Sequence, residues 1–240
     1  MKSKIRIGTS GFRTNKTEYA EILSCVEIQH TFYQPPQIRT LERWREQMPA
    51  DFEFAVKAWQ LITHEAKSPT YKRLKKQLTE IEKEEAGYFK PTAIVKEAWE
   101  MTLACATALK AKTILFQCPA SFKQNTENIT NLNEFFSGIK RGKLNLVWEP
   151  RGNWDDNTVK NICGELDLWH VVDPFIKTTV TPGKCYYRLH GRGGWRYKYE
   201  DDELEELATL MPKNKTSYVF FNNIYMTEDA LKFKEIIQKS

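Results

Sequence analysis

The chain of 240 residues is long enough to bury one sizeable core, and its 41% hydrophobic, 28% charged composition excludes a disordered, collagenous or membrane-spanning polymer. A net charge of +5 with a pI near 8.8 leans toward anionic partners without requiring one. The five cysteines (Cys25, Cys105, Cys118, Cys163 and Cys185) are odd in number and form no CxxC pair, which speaks against a disulfide framework and a zinc ribbon.

Eight β-rich runs recur in chain order: Ile5–Thr9, Cys25–Gln29, Phe52–Ala58, Thr113–Cys118, Leu144–Glu149, Leu168–Asp173, Cys185–His190 and Ser217–Asn222. Helical periodicity fills most of the gaps, over Thr92–Lys110, Glu127–Ile139, Asp155–Cys163, Asp201–Leu210 and Thr227–Gln238, with Thr126 and Thr227 placed to start two of these helices. Strands that alternate with helices imply parallel pairing through crossovers. Eight such units predict a closed TIM (β/α)8 barrel as a single domain over residues 1–240; a doubly wound open sheet is the alternative.

The third connection, Trp59–Lys112, is long enough to require a helical insertion between strands three and four. Within it, Lys67–Lys90 is rich in Lys and Glu and carries Tyr71, Leu74, Leu78 and Ile81 at helical spacing. That pattern reads as a solvated helix with one apolar face, or as a basic lid beside the site. Met1–Ile7 has no signal-peptide core, and no apolar run approaches the roughly 20 residues of a membrane helix. A cytoplasmic protein with no membrane partner is the expectation; oligomeric state is not legible.

Strand parity carries the functional reading. Successive side chains of a strand face opposite sides of the sheet, so assigning the apolar set to the helices turns the other set into the barrel. Arg6 and Gly8, Glu27 and Gln29, Ala55 and Lys57, Gln117, Glu149, Asp173, and Arg188 with His190 then point inward, mostly at strand C-termini, where barrel enzymes carry their chemistry. Charges buried there need partners, and Lys57, Arg188 and Arg6 are expected to find them in Glu27, Glu149 and Asp173. A structural ion-pair network and a working site both satisfy that pattern.

Seven motifs in order from Gly8 to Asn223 then carry a resemblance. They are Gly8-Thr9-Ser10-Gly11-Phe12; Val26 to Tyr33; Phe54-Ala55-Val56-Lys57 with Ile62-Thr63-His64; Phe116 to Phe122; Glu149 to Trp154; Tyr187 to Arg192; and Phe220-Phe221-Asn222-Asn223. Together they resemble the YecE-like family, domain of unknown function 72. The resemblance implies a TIM barrel and no settled activity. Gln29-His30 and Gly152-Asn153 depart from its pattern, and the stretch Arg13–Tyr19 is shortened.

The sequence holds no GxSxG, P-loop, HExxH or dinucleotide fingerprint. Ligands for a metal (Glu27, His30, His64, Glu149, Asp173, His190) are few and lie among cations, so neither metal nor cofactor is expected. Metal-free acid–base chemistry fits better, with Glu27, Lys57, Glu149, Asp173 and His190 as catalytic candidates. Substrate-binding candidates are Ser10, Tyr33, His64, Gln117, Arg151, Trp154, Arg188, Arg192 and Asn222. Lys57, Arg151, Arg188 and Arg192 suggest a mouth for phosphate, and the basic, aromatic loop His190–Tyr199 suggests single-stranded nucleic acid. Two functions follow as expectations: a hydrolase or lyase acting on a phosphate-bearing or nucleic-acid substrate, or a non-catalytic nucleic-acid-binding protein.

Overall fold

In the computed structural model, which describes residues 4–212 and 216–239, eight strands pair in chain order and the last closes on the first. They are β1 (Lys4–Thr9), β2 (Cys25–Ile28), β3 (Glu53–Lys57), β4 (Thr113–Gln117), β5 (Asn145–Glu149), β6 (Leu168–Val172), β7 (Cys185–Leu189) and β8 (Thr216–Phe221). All pairings are parallel, so the fold is the expected TIM barrel. Six strands end one residue before the sequence pattern does, because the next residue already turns into a loop. The ladder still reaches some of these residues: the Asn222 N–H donates to the Leu189 carbonyl and the Cys118 N–H to that of Glu149.

The barrel is not laced evenly. The β1–β2 and β6–β7 seams each register two residue pairs, whereas the remaining seams register three to six.

Two cores follow from the alternation of side chains. Val26, Ile28, Phe54, Val56, Phe116, Trp148 and Phe221 face the helices. Cys25, Ala55, Leu115, Val147, Val171, Tyr186, Tyr218 and Phe220 fill the barrel. Toward the N-terminal end of the strands, Glu53 accepts from Arg6 Nη2 (2.6 Å), Lys112 Nζ (2.9 Å) and Tyr218 Oη (2.7 Å). Arg6 therefore pairs with Glu53 and not with Glu27, Glu149 or Asp173, because it enters β1 two residues before the level of Gly8 and faces the opposite end of the barrel.

The insertion departs from a continuous helix. It forms a 3-10 turn at Pro69–Arg73 and a separate short helix at Glu80–Glu85, the latter closed by a capping box from Thr79 and Glu82. Tyr71, Leu74 and Leu78 pack on the core while Ile81 is exposed. The helix expected after Thr126 begins at Thr126 itself, since Asn125 is the residue whose side chain accepts from the Asn128 N–H. All five cysteines are buried, and among the described residues none is joined in a disulfide. Among the described residues no helix is long and apolar enough to cross a membrane.

Candidate functional site

Arg188 on β7 is the hub of the C-terminal mouth. Its guanidinium lies in the barrel, 1% exposed, and each of its nitrogens has a partner. Nε lies 3.1 Å from both carboxylate oxygens of Glu27, and Nη2 donates to Glu27 Oε1 at 2.8 Å. Nη1 donates to Glu149 Oε2 (2.6 Å) and Gln117 Oε1 (3.2 Å). The planar fork of arginine suits such simultaneous recognition of two carboxylates.

Glu27 on β2 is fully buried and takes further donors from Ser10 Oγ (3.0 Å), Tyr186 Oη (2.6 Å) and Gln29. Glu149 on β5 also accepts Arg151 Nε at 2.8 Å. Burial pushes the Glu149 carboxyl up, but Arg188, His190 and Arg151 outweigh it and hold the group well below the usual carboxylate range.

Arg151, in the loop after β5, bridges this network to His190. Its Nη2 donates to His190 Nε2 at 3.0 Å, and Asn222 Nδ2 lies 3.1 Å from His190 Nδ1. A guanidinium can only donate, so Nε2 is the acceptor and Nδ1 carries the proton. Asn222 then serves Nδ1–H with its amide oxygen, the amide being turned about its last bond. The His190 backbone N–H donates to Asp173 Oδ2 at 3.0 Å, and burial raises the Asp173 carboxyl although the His190 and Phe175 N–H groups oppose the rise.

Lys57 ends β3 on the other side of the mouth. Nζ stands 3.9 Å from the Phe32 ring centroid, a cation–π distance, and among the described residues no hydrogen bond or ion pair holds it. Burial, then the Arg188 charge, bring this amine down to about 7; Glu27 and Glu149 resist and Arg151 assists. His64, against Phe32 and bonded through Nδ1 to Thr63 Oγ1 (2.8 Å), is brought down to about 3 by burial, Lys57 and Arg151. It is a neutral ring at neutral pH.

The structure thus gathers Ser10, Glu27, Lys57, His64, Gln117, Glu149, Arg151, Asp173, Arg188, His190 and Asn222 around one mouth. Tyr33 lies at the rim, its ring covered by Arg73 of the insertion with the guanidinium carbon 3.5 Å from the centroid. Two candidates stand apart. Trp154 packs between Phe122 and Trp148 on the helix side and donates Nε1 to the Phe122 carbonyl (2.8 Å). Arg192 turns outward over Phe175 to Glu203 and Glu206 of helix Asp201–Thr209, so it adds no free charge to the mouth. Tyr186 and Phe32 were not among the expected site residues. Tyr186 shares the parity of Arg188 and was readable from it; Phe32 lies in the short helix His30–Tyr33, whose facing the strand pattern does not set.

Among the described residues no group of three His, Cys, Asp or Glu side chains could hold a metal ion. A groove of about 730 Å³ between helices Ile38–Glu46 and Ala93–Ala108 contains none of the mouth residues.

The family pattern described as protein of unknown function DUF72 matches residues 10–239. The chain belongs to the DUF72 family. It is similar to the UPF0759 protein YunF of Bacillus subtilis (strain 168), 24% identical over 85% of this chain and 79% of that one. A DUF72 family protein of Enterococcus faecalis V583 (EF0366) superposes with a TM-score of 0.76 at 22% identity, covering 99% of each chain. Endonuclease IV of Thermus thermophilus superposes with a TM-score of 0.57 at 10% identity over 98% of this chain and 100% of that one, a likeness of fold alone.

Proposed function

We propose that the DUF72 mouth of this chain is an acid–base active site for a small phosphate-bearing molecule, of hydrolase or lyase type, with Lys57 as the reactive base and Arg151 as the anion anchor. The observation that carries the reading is Lys57: a buried amine, near 7, with no carboxylate bound to it among the described residues. A base poised near neutral pH is what proton transfer requires. Arg151 complements it. Its side chain is 40% exposed, and Nη1 has no partner among the described residues, whereas Arg188 is fully committed to Glu27, Glu149 and Gln117.

Nucleic-acid binding is the less supported reading. In the loop meant to stack bases, Arg192, Tyr197 and Lys198 are already bound to Glu203, Glu206 and Glu228, and Tyr199 is buried. Only Trp195 with Arg196 beside it remains exposed for stacking among the aromatic residues of that loop.

Titration of the protein with inorganic phosphate and with a short single-stranded oligonucleotide separates the two. Phosphate should bind, more weakly as salt rises, and Arg151→Ala should lose about tenfold or more, the worth of one charge-assisted hydrogen bond. A panel of phosphate esters and phosphosugars should be turned over at a rate that rises with pH through about 7 and vanishes in Lys57→Met. Oligonucleotide binding that ignores phosphate and Arg151 supports the binding protein instead.

A further inference from the structure

In the role proposed above, the Lys57 lone pair takes a proton; the same lone pair can attack carbon. Among the described residues it is the buried lysine, at 6% exposure, while Lys76, Lys177, Lys184 and Lys232 reach carboxylates at the surface and exposed Lys112 reaches buried Glu53. Its Nζ meets an aromatic face at 3.9 Å and, among the described residues, no hydrogen-bond acceptor. The nitrogen lone pair of the neutral amine is therefore free. The carboxylates are not: Glu27 is filled by Ser10, Gln29, Tyr186 and Arg188, and Glu149 by Arg188 and Arg151.

We propose that Lys57 is a covalent nucleophile whose Nζ condenses with the carbonyl carbon of a small phosphorylated aldehyde or ketone, while Arg151 holds the phosphate. The proposal rests on the functional reading above and narrows it to lyase-type chemistry on a phosphorylated carbonyl compound. The neutral amine forms the C–N bond as the carbonyl π pair moves to oxygen. A proton moves from nitrogen to that oxygen, giving a neutral carbinolamine. One further proton taken from solvent lets the hydroxyl leave as water while the nitrogen lone pair forms C=N. The product is a protonated imine with one positive charge.

The surroundings serve each stage. Burial and Arg188 bring the starting amine down to about 7, so that a large neutral fraction, which nucleophilic attack needs, is present near neutral pH. The iminium that forms gains from the Phe32 face and from the Glu27 and Glu149 charges, which already favour a cation at this nitrogen. His64 is uncharged at neutral pH, is tied to Thr63 only through Nδ1, and is close enough to feel the Lys57 charge. It therefore adds no repulsion beyond that of Arg188 and Arg151.

The test uses the full chain with dihydroxyacetone phosphate as probe and cyanoborohydride to reduce any imine to a stable secondary amine, mapped by peptide mass spectrometry. Lys57 should be modified first, well ahead of exposed Lys110 and Lys160. Unphosphorylated dihydroxyacetone should label it about tenfold more slowly, and Arg151→Ala should erase that difference. Inorganic phosphate should protect Lys57 in the native chain, a control that needs no variant to fold. Labelling of Lys57 no faster than of Lys110 and Lys160 overturns the proposal. If the probe then still stabilises the native chain but not Arg151→Ala against thermal unfolding, the phosphate site stands and only the covalent step falls. If it does neither, both fall.

Discussion

Burial, with Arg188 beside it, lowers the Lys57 amine from 10.5 to about 7, and that shift is also a statement about stability. The unfolded chain keeps the ammonium protonated up to about 10.5, the folded chain only to about 7, so between these values the unfolded state binds the extra proton. Folding therefore gains stability as pH rises across that window, and at or below pH 7 the folded state carries the full cost of an enclosed cation. Lys57→Met removes the cost. In denaturant titrations the variant should exceed the native chain by a few kcal/mol near pH 7, and the gap should close toward pH 10.5. A gap that stays constant with pH would mean that Lys57 is not held out of its charged form by the fold.

At the scale of elements, the loops after β4 and β5 place Arg151. Gly152 adopts φ +111°, and a Cβ there would stand 2.8 Å from the Ala120 carbonyl oxygen. Any L-residue at this turn is strained, at roughly 1–3 kcal/mol, and must also push the β4 loop away. Gly152→Ala should lower the melting temperature and weaken phosphate binding together, because Arg151 shifts with the turn. A destabilised variant with unchanged phosphate affinity would show that the turn does not position Arg151. This scale also sets what could be read in advance. The inward positions of Glu27, Lys57, Gln117, Glu149 and Arg188 follow from apolar alternation, since a strand has only two faces and the helices claim the apolar one. Partner choice does not follow from parity. Arg6 and Arg188 share the barrel interior, yet they bind different carboxylates because they sit at different heights along their strands. The course of Arg192 was hidden for another reason. It depends on a turn at Gly191 (φ +86°) and on Glu203 and Glu206 lying on one helix face, neither of which a strand pattern encodes.

Across the whole molecule, the two sparsely paired seams divide the barrel into a five-strand arc, β2 to β6, and a three-strand arc, β7, β8 and β1. The backbone registers its fewest residue pairs across these two seams. Arg188 belongs to the smaller arc, while Glu27, Gln117 and Glu149 all belong to the larger one. The buried ionic cluster is thus a clasp between two halves, and Tyr186, also on β7, adds a second tie to Glu27. Such an arrangement predicts breathing along defined lines, with amides opening as two cooperative units. Removing the guanidinium in Arg188→Met leaves the buried Glu27 carboxylate without its paired cation, a loss of about 3–5 kcal/mol, while Glu149 keeps Arg151. Native-state hydrogen exchange should then accelerate most in amides of β2 and β7 that face the two seams, and least between β4 and β5, where five residue pairs are in register. Equal acceleration in every strand would mean that the barrel opens as one body. If the arcs do separate, the proposed anion anchor sits astride the division, since Arg151 ties Glu149 of the larger arc to His190 just after β7 of the smaller one, and an anion bound by Arg151 would slow exchange at seams it never touches.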